Sequence, residues 1–478
     1  MARFVLLLAV AVILGPISGQ SADDLAMGLH TPPAQAKPAF EWVDGVKQHP
    51  DYRFKITTDR DPPIYHAGEI VTFTLSATHK GQPIDGKDVK WFITNDGLLP
   101  ALQAGKVVLT NGQAVFSGSL KQPGFLQCRV DFSAPGESVP GAKAAAAFDP
   151  LEIKPSLPAP DDFNAFWDSQ KKLVKETPAN VKITPVKSPV DGVECFNVQA
   201  DCPEGANFSA YMARPIGAKP GLLPAIVCTQ GAGVASSRLS IVAGWAKDGL
   251  LALDFNVHGL PNGQPQAFYS DLYKGPLKGY FTKNPDSRET LFGRVMYHRL
   301  LRALEIVTSQ LEWNGKQLIA HGRSQGGGQA IAAAGLDPRV TLMCAQIPVF
   351  CDNTGMILRR SSGSHGIVAM DEKGVPNPKA LEAVRYYDGT NWAMLTKAEG
   401  FFTVGFIDTS CPPTGIYAVY NLWTGKKDIL AFYRWGHIAA PEGDEAVRKK
   451  VLAHIGRTVE EISSVVSKKA MKQQTGEE

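Results

Sequence analysis

One stretch constrains the fold of this chain more than any other: "QLIAHGRSQGGGQAIAAAG", Gln317 to Gly335. An apolar run leads to a serine, and glycines and alanines follow. The pattern predicts a buried strand, a tight corner and a helix whose small residues let it approach the sheet. Gly322-Arg323-Ser324-Gln325-Gly326 fits G-x-S-x-G, a corner where the serine takes an unfavourable backbone conformation and its neighbours must lack bulk. A plain turn would also use glycines, but the strand before and the helix after favour a nucleophile. A phosphate-cradling loop is not supported, because no G-x-x-x-x-G-K-[ST] occurs.

The surrounding sequence repeats this strand–helix alternation. "LLPAIVCT", "GLLALDFNV", "KQLIAHG", "VTLMCAQIPVF", "GFFTVGFID" and "KDILAFYRW" are compact apolar runs, and helical segments such as "SRETLFGRVMYHRLLRALEIVTSQL" separate several of them. Buried strands alternating with helices predict an α/β domain with a mostly parallel sheet, over residues 158–466. Its entry is "DDFNAFWDSQKKLVKE", an amphipathic helix with Phe163, Phe166, Trp167 and Leu173 on one face and Asp161 and Asp162 as N-cap candidates. "PSLPAPDD", Pro155 to Asp162, reads as a linker, and Glu445 to Val466 as a terminal helix before a solvated tail. Upstream, "YRFKITTD", "EIVTFTLSATH", "DVKWFITND", "GKVVLT", "GQAVFSGSL" and "GFLQCRVDFSA" are short β-prone segments divided by turn formers. They predict an immunoglobulin-like β-sandwich over residues 40–154.

The first residues have a different purpose. Arg3, the apolar "FVLLLAVAVILG" and the small residues of "ISGQSA" predict a secretory signal at residues 1–21, giving a secreted or periplasmic protein. The apolar run is shorter than the roughly 20 residues a bilayer span needs. With 44% apolar and 20% charged residues and a formal charge of +3, the 478-residue chain has the make-up of a globular protein of two or three domains. No basic block interleaves with aromatics, which argues against nucleic acid as a partner. Seven cysteines leave at least one thiol without an internal partner; Cys195 with Cys202, or Cys344 with Cys351, are candidate pairs, and most read as buried small hydrophobes. With no CxxC or HExxH, no metal site is expected.

A serine nucleophile needs a histidine base and a carboxylate to orient it, and in a strand–corner–helix setting the chain order is Ser, acid, His. His437 follows the strand "DILAFYRW" and is the expected base. His365 lies in the loop-like "SSGSHGIV", and His454 on the terminal helix reads as a packing residue. Asp408 ends the strand "FFTVGFID" and is the expected acid; Asp352 and Asp388 are rivals, the latter placed to cap a helix. Donors for a developing oxyanion are expected from the backbone N–H of Gln325 and, in the loop "TQGAGVASS", from Ala232.

At this point "HGRSQGGG", "YYDGTNWA", "VGFIDTSCPPTGIYAVYN", "RWGH" and "APDDFNAFW" together resemble the acetyl xylan esterases and cephalosporin C deacetylases of carbohydrate esterase family seven, over Pro158 to Pro441. The resemblance implies an α/β-hydrolase fold, with Ser324 as nucleophile, Asp408 as acid, His437 as base, and Gln325 and Ala232 as the oxyanion pair, the last a position where relatives usually carry tyrosine. It implies a serine esterase that removes acetyl groups from carbohydrate without a cofactor. Two signatures depart from the family: its Arg-Gly-Gln is His258-Gly259-Leu260 here, and its Gly-His-Glu is Gly436-His437-Ile438. The same machinery would serve a serine peptidase or another carboxylic-ester hydrolase, and an inactive glycan-binding protein is the reading from a different class. The number of subunits stays open.

Overall fold

The computed structural model describes residues 41–43, 46–134, 137, 139–364, 366–438 and 440–458. The expected signal segment at residues 1–21, His365 and everything from residue 459 on lie outside them. Among the described residues no helix is long and apolar enough to cross a membrane.

The centre of the larger part is a nine-stranded sheet: β1 (Lys182–Val186), β2 (Val193–Asp201), β3 (Asn207–Pro215), β4 (Leu223–Thr229), β5 (Leu251–Phe255), β6 (Trp313–Arg323), β7 (Val340–Gln346), β8 (Glu399–Gly405) and β9 (Lys427–Phe432). Their spatial order is β1-β2-β3-β5-β4-β6-β7-β8-β9. β1 through β3 pair antiparallel and β3 meets β5 antiparallel; every pairing from β5 to β9 is parallel. The sheet is therefore mixed, with the parallel part supplied by the six apolar runs.

Nine helices belong to the described part of this region: α1 (Phe163–Glu176), α2 (Leu239–Lys247), α3 (Gln266–Lys274), α4 (Phe292–Ser309), α5 (Gln325–Leu336), α6 (Pro378–Val384), α7 (Gly389–Ala393), α8 (Pro413–Leu422) and α9 (Pro441–His454). The pleat divides each buried strand between two layers. Ala225 and Val227 of β4 and Leu318 and Ala320 of β6 pack with residues of α1, α4, α5 and α8. Ile226, Cys228 and Ile319, on the other face, pack with Val242 and Ala246 of α2 and Val447 and Val451 of α9. Helices on both faces explain why the sequence shows continuous apolar runs here and not alternation.

Four expectations need correction. The long central helix begins at Phe292, because Ser287 turns back to bond Glu289 instead of opening a helix. The terminal helix is Pro441–His454 and stops before Gly456, whose φ of 72° is left-handed; residues 459–466 of the expected span lie outside the described residues. Asp162 stands at the N-cap of α1 but makes no side-chain cap bond. Its carboxylate instead accepts from Tyr386 Oη and, at 2.6 Å, from Arg288. All seven cysteines are unpaired and buried, so neither candidate disulfide forms.

The smaller part is two sheets around one core. One runs Ile64–Tyr65, Ala142–Phe148, Gly124–Asp131, Asp88–Asn95, Gln103–Val108 in spatial order. In the other, Val71–His79 pairs with Tyr52–Thr58, Gln82–Pro83 and Gln113–Gly118. Phe73, Leu75 and Phe116 from the second meet Ile93, Cys128 and Val130 from the first. The strand "AKAAAAF" escapes propensity reasoning because alanine is a poor strand former. Here its methyls fit between two crowded surfaces: Ala144 and Ala146 face the core of the smaller part, Ala145 and Ala147 the larger part.

That seam is aromatic and hydrogen-bonded. Phe125 packs edge-on against Phe406 at 4.8 Å and beside Tyr417 at 5.5 Å between ring centroids. Gln127 Nε2 donates to the Phe406 carbonyl at 3.3 Å, and Asn421 Nδ2 to the carbonyls of Pro150 and Ile153 at 3.0 and 2.9 Å. Asp96 is wholly buried here, and neither carboxylate oxygen meets a partner in hydrogen-bonding geometry. Burial pushes its pKa up to about 7, although Thr414, Arg360 and Ser361 lie close enough to favour the charge in part. Proton binding by Asp96 thus stabilises the fold fully below the ordinary carboxyl range, and that contribution is lost as pH rises through about 7. Asp96→Asn, which mimics the protonated acid, is expected to raise Tm relative to the parent more at pH 8 than at pH 5; thermal unfolding at the two pH values checks this.

Candidate active site

The corner predicted between β6 and α5 is present. Ser324 has φ 54° and ψ −121°, a conformation that a non-glycine residue adopts only when its surroundings force it. The forcing is visible on both sides. Ser324 N–H donates to the Gln346 carbonyl at 2.9 Å, and its own carbonyl accepts from Gly328 and Val349 at 3.1 and 3.0 Å. A Cβ on Gly322 would lie 2.1 Å from Thr229 Oγ1, and one on Gly326 would lie 2.3 Å from the Thr229 carbonyl. Thr229 uses its hydroxyl to bond the carbonyls of His321 and Gly326, at 3.0 and 2.7 Å, so it clamps the corner from the end of β4.

Three residues far apart in sequence meet at this edge. Ser324 Oγ is 3.0 Å from His437 Nε2, and His437 Nδ1 is 2.9 Å from Asp408 Oδ2. The other oxygen of Asp408 accepts the backbone N–H groups of Ser410 and Cys411, both at 2.8 Å. Asp408 is completely buried, whereas 27% of the His437 side chain is exposed. The carboxylate therefore has a fixed orientation while the imidazole reaches solvent. Burial disfavours the imidazolium, but the neighbouring Cys411 sulfur and then the Asp408 carboxylate outweigh it and raise the pKa. Burial also pushes the Cys411 thiol up to about 11, so at neutral pH the thiol is protonated and the full negative charge beside the ring is that of Asp408. A hydroxyl, an imidazole and a carboxylate in this order can take a proton from the serine and hold the resulting cation.

Asp408, Cys411 and His437 also present donor atoms within 4.8 Å of one another. Both ring nitrogens of His437 are already engaged, which makes the group a proton relay before it is a metal cradle. The rivals lie elsewhere. Asp388 caps α7 through Thr390 N–H at 3.0 Å and accepts the Asp352 N–H at 3.0 Å. Asp352 accepts the Ser156 N–H at 2.7 Å, holding the connection between the two parts. His454 bonds Thr341 Oγ1 at 2.9 Å on the far face.

Gln325 opens α5, where first-turn N–H groups have no intrahelical acceptor. Ala232 lies exposed in the loop after β4. That loop is tied at both ends to buried Asp254, by Gln230 Nε2 and by Arg238 N–H, each at 2.8 Å. Its middle is held by two residues that motif reasoning did not place. Tyr280 Oη accepts the Gly233 N–H at 2.9 Å and donates to Gln325 Oε1 at 3.1 Å. His258 Nε2 meets the Gly233 carbonyl at 3.0 Å, and its ring stands edge-on to Tyr280 at 4.5 Å. Burial holds His258 down to about 4, so it is a neutral donor through Nε2 at physiological pH. The sequence flagged His258 only as a departure from a family signature, and nothing in spacing pointed to Tyr280.

A mixed sheet with a serine on a strained corner, flanked on both faces by helices, is an α/β-hydrolase-like fold. The model of the family described as Acetyl xylan esterase (AXE1) matches residues 149–453. "Acetyl esterase Axe7A" of Xylanibacter ruminicola is 30% identical over 385 residues, covering 80% of this chain and 85% of that protein. The acetyl xylan esterase from Paenibacillus sp. R4 superposes with a TM-score of 0.55 at 27% identity, over 64% of this chain and 98% of its own. Acetyl xylan esterase 1 from Thermoanaerobacterium sp. JW/SL YS485 shares the fold, with a TM-score of 0.53 at 22% identity over 63% of this chain and 96% of its own. The chain belongs to the acetyl xylan esterase family and is a carboxylic-ester hydrolase.

Two outcomes follow for the site. Gly326→Ala drives a methyl into the Thr229 backbone and is expected to cost about 2–4 kcal/mol of stability, read from denaturant unfolding. Tyr280→Phe breaks the tie between Gly233 and Gln325 and is expected to lower kcat on an acetyl ester about 10-fold with KM changed less than about 2-fold, since one whole oxyanion donor is worth 100-fold or more.

Proposed function

We propose that this protein is a secreted serine esterase that removes acetyl groups from carbohydrate, with Ser324, His437 and Asp408 as its triad. The observation that carries the reading is the unbroken chain from Ser324 Oγ through both nitrogens of His437 to Asp408. Ser324 Oγ attacks the acetyl carbonyl carbon while His437 Nε2 takes the hydroxyl proton. The carbonyl electron pair moves onto oxygen, where the N–H groups of Gln325 and Ala232 receive it. The tetrahedral intermediate collapses, His437 returns the proton to the departing sugar oxygen, and an acetyl-enzyme is left. Water repeats the sequence against the acetyl-enzyme and releases acetate. Every step uses side chains and backbone of this chain, so no cofactor is invoked.

The carbohydrate assignment rests on family membership and on the names its relatives carry. Secretion rests on the leader-like residues 1–21, and the division into segments 40–154 and 158–466 follows the two sets of sheets. We read the smaller part as an immunoglobulin-like module on the basis of its two sheets and shared core.

Ser324→Ala is expected to reduce p-nitrophenyl acetate turnover by several orders of magnitude; near-parental turnover would refute the assignment. Asp408→Asn is expected to lower kcat by about 10,000-fold and to shift the acid limb of the kcat/KM profile to lower pH. The sign follows from the carboxylate: its charge favours the imidazolium, so removing it lets His437 stay neutral, and able to accept a proton, at more acidic pH. A pH–rate profile of the variant checks the direction.

A further inference from the structure

Strand order in the larger sheet decides on which side of Ser324 a departing alcohol must lie. Ser324 follows β6, which has β4 on one side and β7, β8 and β9 in turn on the other. The loop after β4 carries Ala232, the expected oxyanion donor. The loops after β8 and β9 carry Asp408 and His437. The leaving oxygen has to meet His437 Nε2, because that nitrogen returns the proton, so whatever is attached to the oxygen falls on the β8–β9 side. Among the described residues no strand of this sheet stands beyond β9. The segment that carries His437 is therefore the sheet's own outer wall for the alcohol.

That wall holds Trp435, two residues before His437 and so within about 7 Å of it along the backbone. Its main chain is fixed. The Trp435 carbonyl accepts the Ile407 N–H at 3.2 Å, and its own N–H donates to the Phe432 carbonyl at 3.3 Å. A Cβ on Gly405 would lie 2.5 Å from the Trp435 carbonyl oxygen, so the segment is pressed against the end of β8. Ile407 directly precedes Asp408, and one hydrogen bond thus ties the tryptophan to the acid loop. The indole is less committed. Trp167, Trp313 and Trp423 give their ring N–H to the carbonyls of Tyr386, Gln317 and Ala398, and Trp392 is enclosed in the core. Trp435 is part-exposed; among the described residues its ring N–H meets no acceptor and lies open to solvent. Phe432 meets the indole edge-to-face at 6.4 Å between centroids, a contact that occupies at most one of its two faces. A rigid, part-exposed indole with a spare donor matches a pyranose, whose C–H face packs on the ring while a hydroxyl accepts the N–H.

We propose that Trp435 is the platform on which a sugar ring of the departing alcohol stacks, and is thereby a specificity-determining residue for saccharide acetates over small acetates. The proposal deepens the esterase reading and rests on it for its role in turnover, but not for saccharide binding. The test is a selectivity ratio: kcat/KM on an acetylated xylo-oligosaccharide divided by kcat/KM on ethyl acetate, whose alcohol is too small to reach a stacking surface. Trp435→Ala is expected to lower that ratio about 5- to 10-fold, mainly through KM on the saccharide, and Trp435→Tyr to restore most of it. A merely structural role would disturb His437, depress kcat on both esters together and leave the ratio in place. A ratio unmoved by Trp435→Ala, or one that Trp435→Tyr lowers as far as Trp435→Ala does, overturns the proposal. Titration of full-length Ser324→Ala with the unacetylated xylo-oligosaccharide, followed by tryptophan fluorescence, separates the two readings. A change in emission is expected there and is expected to vanish in Ser324→Ala/Trp435→Phe. Trp435-dependent binding with no ester hydrolysis by the parent would sink the esterase mechanism alone. Hydrolysis of the saccharide acetate by the parent, with no Trp435-dependent signal and an unmoved ratio, would sink the platform alone.

Discussion

The left-handed backbone of Ser324 is the constraint around which the larger part is arranged. A residue in that conformation is held there at a cost of about 1–3 kcal/mol, so the neighbouring structure must leave it no alternative. The neighbours do so through contact. Thr229 at the end of β4, Gln346 at the end of β7 and the turn at Val349 each hold one side of the corner, and only glycine fits at 322 and 326. The same crowding brings β4, β6 and β7 to a common edge, and the loops that leave that edge carry Ala232, Ser324 and, beyond β8, Asp408. The spacing of Ser324, His437 and Asp408 is thus a by-product of closeness in the sheet.

Much of this was legible because its causes are local. Glycines around Ser324 report crowding directly, and strand order restricts which Asp and His can follow. Asp388 was legible as a cap for the same reason. Other features depend on surfaces that meet only in three dimensions. β1, β2 and β3 lack continuous apolar runs because they are at the less-buried end of the sheet, and so they went unread. The Ala142–Phe148 strand was hidden because its alanines answer to two packing surfaces and not to propensity. Asp162 looked like a cap until Arg288 and Tyr386, over a hundred residues distant, claimed its carboxylate. Tyr280 could not be found at all, since its value lies in joining Gly233 to Gln325.

His258 shows how a departure from a family signature can be absorbed. A histidine held neutral by burial donates to the Gly233 carbonyl, and Tyr280 takes the neighbouring N–H from the other side. Together they fix the peptide next to Ala232 by hydrogen bonds and an edge-to-face ring contact. No charge is needed for that task, which is why a residue unlike arginine can stand at this position without disturbing the hydrogen-bonded chain of Ser324, His437 and Asp408.

The seam beneath Phe125 reaches further than packing. Phe406 leads directly into the Asp408 loop, and Tyr417 lies on α8 just after it, so the floor of the acid loop is built partly from the other set of sheets. The two parts are therefore not beads on a string. A chain clipped near Pro155 would keep Ser324, Asp408 and His437, yet it would bare an aromatic face to water and leave the loop holding the carboxylate without its backing. Such a fragment would be sticky as well as slack, and any attempt to miniaturise this enzyme has to resurface that floor first.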